Sequence, residues 1–294
     1  MRRAVLIAGP TASGKSALAL ARARQGGGVI VNADAMQVYD TLRVLTARPD
    51  AADEAAAPHL LYGFVSALER FSTGAWVRAV EAALVGIEPE REVIFVGGTG
   101  LYFEALTKGF ADVPAVSPQI VAQVEQQLTG LDAAERLALL AAEDPATAAR
   151  LGVADPQRVT RALAVKRATG RALSSFQETQ QPGLLAGWQL ERLVLWPERD
   201  ALRTRIARRF GAMFDNGAVA EVEALRRLRP DPTLPAMKAI GVPEISDWLE
   251  GLISQEAAIA RAVTATQQYA KRQRTWFRNR MGDWPREGPD GAPL

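Results

Sequence analysis

Eight residues near the start of the chain, Gly9-Pro10-Thr11-Ala12-Ser13-Gly14-Lys15-Ser16, fit the pattern G-x-x-x-x-G-K-[ST]. Such a loop wraps a phosphate chain with backbone N–H groups. The apolar run 4–8 precedes it and the helix-forming run 17–21 follows, which is the strand–loop–helix setting the loop requires. Its glycines let the backbone close around the ligand, and the helix N-terminus adds partial positive charge. Lys15 would reach the outer phosphates, and the Ser16 hydroxyl would ligate Mg²⁺. The loop implies a phosphate or diphosphate ligand and leaves the reaction open.

Composition narrows the setting. The 294 residues are 48% hydrophobic, enough for a substantial core, and contain no cysteine and a single histidine, His59. Disulfides, thiolate metal sites and multi-histidine metal sites are therefore excluded. His59 is read as structural. No apolar run approaches the roughly 18 residues of a membrane helix, and the N-terminus lacks the features of a signal peptide, so a cytoplasmic protein with no membrane partner is expected. The net charge is only +2, but the basic residues are unevenly placed. Arg158, Arg161, Lys166, Arg167 and Arg171 form one acid-free cluster. Lys271, Arg272, Arg274, Arg278 and Arg280 form another, and residues 199–209 hold five arginines against Asp200 alone. Each could be a solvated helix face; together they favour a polyanion such as nucleic acid. Trp276 and Phe277, at helical spacing with Ile259 and Val263, read as core rather than as base-stacking residues.

Four apolar runs, 4–8, 29–31, 93–96 and 193–196, read as buried strands of a parallel sheet, the first three separated by helical segments. The expected class is α/β: a P-loop-type parallel sheet flanked by helices, with an all-helical insertion. Residues 1–113 and 188–284 form the core, 114–187 the insertion, and 285–294 a flexible tail. The insertion carries helix starts at Ser117-Pro118, Asp144-Pro145 and Asp155-Pro156, and a capping-box pattern at Asp132 and Glu135. Residues 180–183 read as a turn near its exit.

Asp34 lies just past the second strand, and ligands of open parallel sheets bind at the carboxyl ends of strands. Asp34 and the phosphate loop should therefore face one cleft, although a helix cap is an equal reading of Asp34 from position alone. The third strand ends in Gly97-Gly98-Thr99-Gly100 without the carboxylate a P-loop ATPase would carry for Mg²⁺. A P-loop small-molecule kinase or ATPase remains the alternative, weakened by that absence.

With these segments in view, the chain resembles the bacterial tRNA dimethylallyltransferase (tRNA isopentenyltransferase) family. The resemblance runs from Val5 to about Phe277. It is carried by the phosphate loop, by residues 33–39 (ADAMQVY), 46–49 (TARP) and Pro58-His59, and by 96–102 (VGGTGLY). Further on come 155–158 (DPQR), Thr169-Gly170, 238–241 (KAIG) and 269–276 (YAKRQRTW). The family transfers a dimethylallyl group from dimethylallyl diphosphate to N6 of the adenosine immediately 3′ of the anticodon. The resemblance implies that Asp34 is the general base and that Thr99 sits by the leaving group and target base. Lys15, the loop amides and Arg209 would neutralise the diphosphate, with Mg²⁺ bridging it and Ser16. It further implies tRNA contacts from Ala35, Met36 and Gln37, from Gln157, Arg158, Val159, Thr160 and Arg161, and from Lys238, Ala239, Ile240 and Gly241. The partners would be a tRNA anticodon stem-loop and dimethylallyl diphosphate, with a flipped adenosine in a channel and a monomeric enzyme. Asn32, Ala35, Leu45, Val121, Val242-Pro243 and Gln267 depart from residues common in the family. None is expected to touch the Asp34, Lys15 and Thr99 set.

Overall fold

The computed structural model describes residues 1–109, 111, 113–114, 116–151, 155–178 and 182–288. The chain divides into two compact units, one of Met1–Ala105 with Leu185–Leu294, the other of Leu106–Leu184. The insertion limits read from helix signals, 114 and 187, mark elements rather than contacts, and the contact division falls at other residues.

The first unit is built on β1 (Arg3–Ala8), α1 (Lys15–Gly26), β2 (Val29–Asn32), α2 (Ala51–Ala56), β3 (His59–Leu60), α3 (Thr73–Val85), β4 (Val93–Gly97) and all but the last two residues of α4 (Gly100–Thr107). The second holds α5 (Pro118–Leu128), α6 (Ala133–Glu143), α7 (Pro145–Arg150), α8 (Pro156–Thr169) and α9 (Leu173–Glu178). The first unit resumes with β5 (Gln189–Leu195), α10 (Arg199–Met213), α11 (Val219–Arg227), α12 (Val242–Leu249), α13 (Gln255–Arg280) and β6 (Arg286–Glu287).

The six strands form one parallel sheet in the order β3-β2-β4-β1-β5-β6. Its centre explains the uninterrupted apolar runs: both faces are covered, so Leu6, Ile7, Ile94 and Phe95 have no exposure. Burying each such side chain contributes about 1.5–3 kcal/mol. Because β1 pairs β4 on one side and β5 on the other, the loops after β1, β2 and β4 open at one edge of the sheet.

Two strands escape the sequence pattern. β3 and β6 are two residues long, too short to leave a period, and each adds to an outer strand. β6 also corrects the reading of a tail that is flexible from residue 285: Arg286 and Glu287 pair with Val194 and Leu195. The rest of that tail, 289–294, lies outside the described residues, as do two residues of the turn read at 180–183. β5 begins four residues before the apolar run: residues 189–192 hold three polar side chains around Leu190, and Glu191 takes two hydrogen bonds from Arg22.

In the second unit the four cap signals stand where the sequence put them. Ser117, Asp132, Asp144 and Asp155 each accept a backbone N–H from the first turn that follows. Buried Asp144 does more, because its second oxygen accepts from Leu173 N–H at 3.2 Å and so ties α9 to α7. The core is apolar, with Val124, Leu140, Val159 and Leu163 unexposed.

Candidate functional site

The phosphate loop closes on itself through backbone geometry. Gly14 takes φ 99° and Ala12 φ 61°, the left-handed region that a non-glycine residue enters only at a cost of about 1–2 kcal/mol. Ser13 N–H donates to the Pro10 carbonyl at 3.2 Å, and Lys15 Nζ reaches the same carbonyl at 3.4 Å. Gly9 is closely packed, since a Cβ there would lie 2.8 Å from Ser13 Oγ and 3.2 Å from Leu195 Cβ. Thr11 N–H is the exception to self-sufficiency: it donates at 2.9 Å to Gln273 Oε1 on α13.

The Asp34 turn is held by side chains. Unexposed Asn32 accepts Asp34 N–H at 2.8 Å and donates to the carbonyls of Asp34 and Leu61, each at 3.0 Å. Thr99 Oγ1 accepts Ala35 N–H at 2.9 Å, so the ends of β2 and β4 share a clasp. Gly97 makes that approach possible, because a Cβ there would sit 1.9 Å from the Ala33 carbonyl oxygen. Asp34 Oδ1 accepts Met36 N–H at 3.0 Å, whereas Oδ2 takes no hydrogen bond among the described residues. Asn32 therefore overturns the expectation that the departures from the family pattern leave the Asp34 set untouched.

A cavity of about 510 Å³ opens between these two turns and α10 and α13, lined by Thr11, Asp34, Thr99, Arg209, Tyr269 and Gln273 among others. Leu45, Ile206, Phe210 and Met213 supply an apolar wall. A second hollow of about 480 Å³ covers the loop itself, lined by residues 12–17 and by Arg205, Arg208 and Arg209. Arg209 lines both, and its Nη2 donates to Thr11 Oγ1 at 2.5 Å. Gln273 completes the connection, donating from Nε2 to the Gly98 carbonyl at 2.9 Å while its Oε1 holds Thr11.

The electrostatics follow from burial around one carboxylate. Although part of Lys15 remains open to solvent, its ammonium end is deep enough that desolvation pulls its pKa down to about 8. Asp34 offsets this in part, while Arg209 adds to it. Burial likewise lowers Arg209, with Asp34 opposing. The Tyr62, Tyr102 and Tyr269 phenols are pushed well above the ordinary tyrosine value, first by burial and then by the charge of Asp34. All three stay protonated around Asp34 at neutral pH. Tyr269 also interacts with the side chains of Gln273 and Thr99.

Among the expected site residues, the cavity collects Thr11, Asp34, Ala35, Met36, Thr99, Arg209, Lys238, Ala239 and Ile240. Lys15 and Ser16 lie in the adjoining hollow. Gln37 instead turns inward, its amide donating to the Thr46 and Ala47 carbonyls at 2.8 and 2.9 Å. Gly241 (φ 102°) caps α12 and does not line the cavity. On α8, Gln157, Arg158 and Arg161 are exposed, Thr160 is half-buried and Val159 is buried in the second unit's core. Trp276, read as core, lines the cavity, whereas Phe277 is buried. His59 is structural: its Nδ1 lies 2.9 Å from the Ala57 carbonyl. Tyr269 and Gln273 lie in the segment 269–276 that carries the resemblance, but neither was assigned to the site, and Phe210 and Met213 showed only helical spacing; all four reach the cavity through tertiary packing. Among the described residues no group of three or more histidine, cysteine or acidic side chains could hold a metal. Exposed Ser16 offers one hard oxygen donor at the start of α1, which fits Mg²⁺ only if phosphate oxygens complete its shell.

Fold and site thus define a P-loop α/β protein whose phosphate loop adjoins a deep, partly apolar cavity containing a carboxylate. The family described as IPP transferase matches residues 37–280, and a second described as isopentenyl transferase matches residues 2–58. The chain belongs to the IPP transferase family. It is 51% identical to a tRNA dimethylallyltransferase of Methylobacterium sp. (strain 4-46), over 99% of this chain and 95% of that protein. It is 47% identical to that of Rhizobium meliloti (strain 1021), over 98% and 96%. The crystal structure of a tRNA isopentenylpyrophosphate transferase from Staphylococcus epidermidis superposes with a TM-score of 0.68 at 28% identity, over 99% of this chain and 94% of that one. A eukaryotic dimethylallyltransferase acting on tRNA gives a TM-score of 0.81 at 25% identity, over 98% and 74%. Among the described residues no helix is long and apolar enough to cross a membrane.

Proposed function

We propose that this protein transfers a dimethylallyl group from dimethylallyl diphosphate to N6 of the adenosine 3′ of the anticodon in tRNA, acting as a monomer in the cytoplasm. The observation that carries the reading is the cavity in which the Asp34 carboxylate and Thr99 face Arg209, which also lines the hollow over the phosphate loop. The kinase or ATPase reading is disfavoured by family membership and by the absence of a carboxylate in Gly97-Gly98-Thr99-Gly100.

In this reading the diphosphate lies on the loop amides with Lys15 and Arg209, and the dimethylallyl chain lies against Leu45, Phe210 and Met213. N6 attacks the allylic carbon, the carbon–oxygen bond to diphosphate breaks, and its electron pair leaves with the diphosphate. The N6 proton passes to Asp34 Oδ2, the oxygen without another hydrogen bond. Lys15 and Arg209 stabilise charge that grows on the leaving group in the transition state. Mg²⁺, when bound, supplies further charge neutralisation, with Ser16 as its protein ligand. The protonated tyrosines around Asp34 keep the site polar without adding charge. Gln157, Arg158 and Arg161 present an exposed face of α8 suited to backbone phosphates. Incubation with labelled dimethylallyl diphosphate, Mg²⁺ and total tRNA, followed by nucleoside analysis, tests the proposal. The label should appear in an N6-modified adenosine; label in no nucleoside, or ATP hydrolysis in its place, would overturn it.

A further inference from the structure

Leu45 joins the apolar wall of the Asp34 cavity from the loop between β2 and α2, whereas Ile206, Phe210 and Met213 join it from α10. Loops are the more mobile parts of a fold, so a loop residue makes a firm wall only when its backbone is braced. This one is braced on both sides. Glu221 on α11 takes three successive backbone N–H groups on one carboxylate: Oε1 accepts from Arg43 at 2.9 Å and Val44 at 2.6 Å, and Oε2 accepts from Leu45 at 3.0 Å. Charge-assisted bonds of this kind are about twice as strong as neutral ones. After Leu45, the Thr46 and Ala47 carbonyls are held by Gln37, and Ala47 N–H returns to the Val44 carbonyl at 2.9 Å. The side chain is seated as firmly as the backbone. Leu45 is 9% exposed, and its Cδ2 lies 2.5 Å from the place a Cβ on Gly241 would take, with Phe210 Cε2 3.3 Å from that same place. Gly241 leaves the room in which the leucine methyl and the phenylalanine ring converge.

The neighbouring chemistry indicates what this wall stops. Ile206, Arg209, Phe210 and Met213 fall at i, i+3, i+4 and i+7 on α10. The guanidinium that reaches the phosphate loop therefore shares a helix face with three apolar side chains. The apolar portion of a ligand whose anion is held by Arg209 lies along that face, beside the Leu45 and Phe210 pair. A mobile wall would admit a longer chain by shifting. A wall pinned by Glu221 and backed by Gly241 resists the shift, so a longer chain must leave carbons unburied or displace the leucine. Leu45 is also a departure from the residue common in the family, so family membership alone does not supply this wall.

We infer that Leu45, positioned by Glu221, restricts the donor to a single five-carbon prenyl unit by closing the cavity to a ten-carbon chain. The inference rests on the proposed function for the class of donor. Its test compares dimethylallyl and geranyl diphosphate as donors to total tRNA, with the full chain and three variants. Wild type should favour the shorter donor in kcat/KM by about 100-fold, and Leu45→Ala should cut that ratio at least about tenfold, chiefly by improving use of geranyl diphosphate. Leu45→Met, which conserves volume, should stay within about threefold of the wild-type ratio. Glu221→Gln turns one acceptor oxygen into a donor; the ratio should fall in the same direction, by about threefold or more, with the KM for tRNA within about twofold of wild type. An unchanged ratio in Leu45→Ala, a fall in Leu45→Met equal to that in Leu45→Ala, or wild type using both donors alike would overturn the inference. A Glu221→Gln variant slowed equally on both donors would remove Glu221 from it. Calorimetric titration of each donor without tRNA is run in parallel. If wild type binds dimethylallyl diphosphate but transfers nothing, the proposed function fails, and the ratio of the two Kd values in wild type and Leu45→Ala still decides the role of Leu45. Binding of neither donor would overturn both.

Discussion

The phosphate loop and the Asp34 turn both follow buried strands of one parallel sheet, yet they are held in different ways. The loop after β1 is shaped by its own backbone, with glycine and left-handed geometry at Gly14 and Ala12 and an internal Ser13 to Pro10 bond. The turn after β2 is shaped by side chains, one distant and one local: Thr99 holds Ala35 from the end of β4, and Asn32 at the end of β2 holds Asp34 and bridges to Leu61. A site made of backbone amides suits a ligand whose charge is spread over several oxygens. A single carboxylate positioned by side chains suits proton transfer, which demands one atom at one place. The difference predicts that substitutions on the two sides will fail in different ways.

The largest effect should come from the turn. Asp34→Asn preserves the acceptor for Met36 N–H but removes the base, so turnover should fall by about 10²–10⁴-fold with donor affinity nearly unchanged. Single-turnover transfer and calorimetric titration of the donor check this together. Wild-type turnover in the Asn variant would remove Asp34 from the chemistry and break the comparison on its more consequential side.

On the loop side, Lys15→Ala should lower kcat by about 10²-fold and raise the KM for the donor, because charge on the diphosphate grows as the bond breaks. The KM for tRNA should stay within about twofold of wild type. If tRNA binding collapsed while the donor still bound, Lys15 would belong to the RNA surface and not to the loop's ligand.

The same contrast decides what could be read from the chain. The loop, the four longer strands and the caps of α5–α8 are local, so a few adjacent residues reveal each of them. The Asp34 turn was legible as a position but not as a structure: its brace Asn32 looked like a neutral departure, and its clasp Thr99 lies 64 residues away. Gln273 stood in a recognised segment, but its role was the most hidden of all, since it joins Thr11 to Gly98 across 262 and 175 residues. Such a bridge exists only once α13 has packed over the sheet edge. Gln37 and Val159 show the opposite case: each lies in a segment to which the resemblance assigns tRNA contacts, yet its side chain is buried, where packing is its task.

A smaller effect should follow from removing the brace. Asn32→Ala leaves Asp34 N–H and the Leu61 carbonyl without their partner in a partly buried setting, costing about 1–3 kcal/mol in denaturant unfolding. Turnover should fall along with stability, because the Asp34 backbone loses its position. Loss of stability with turnover per folded molecule unchanged would show that Thr99 and Met36 suffice to hold the turn.

The mildest prediction concerns pH and separates the two regions without mutating either. In the ligand-free protein Lys15 has its pKa lowered to about 8, so it is charged at pH 7 and largely neutral by pH 9. The donor's diphosphate, whose last proton leaves near pH 6, is fully ionised over this range. Binding must therefore recruit a proton to Lys15 above pH 8, and the donor's Kd should rise by up to about tenfold per pH unit there. Stability of the ligand-free protein should move the other way. With the folded pKa of Lys15 below its unfolded value, the unfolded chain binds more protons, and this group's contribution to stability increases as pH rises from 8 towards 10. Calorimetric titration of the donor and urea unfolding at pH 7, 8 and 9 measure both trends, with Lys15→Gln as the control that should abolish each. A donor affinity flat across this range in wild type would place the Lys15 ammonium away from the diphosphate, leaving Arg209 and the loop amides to hold it.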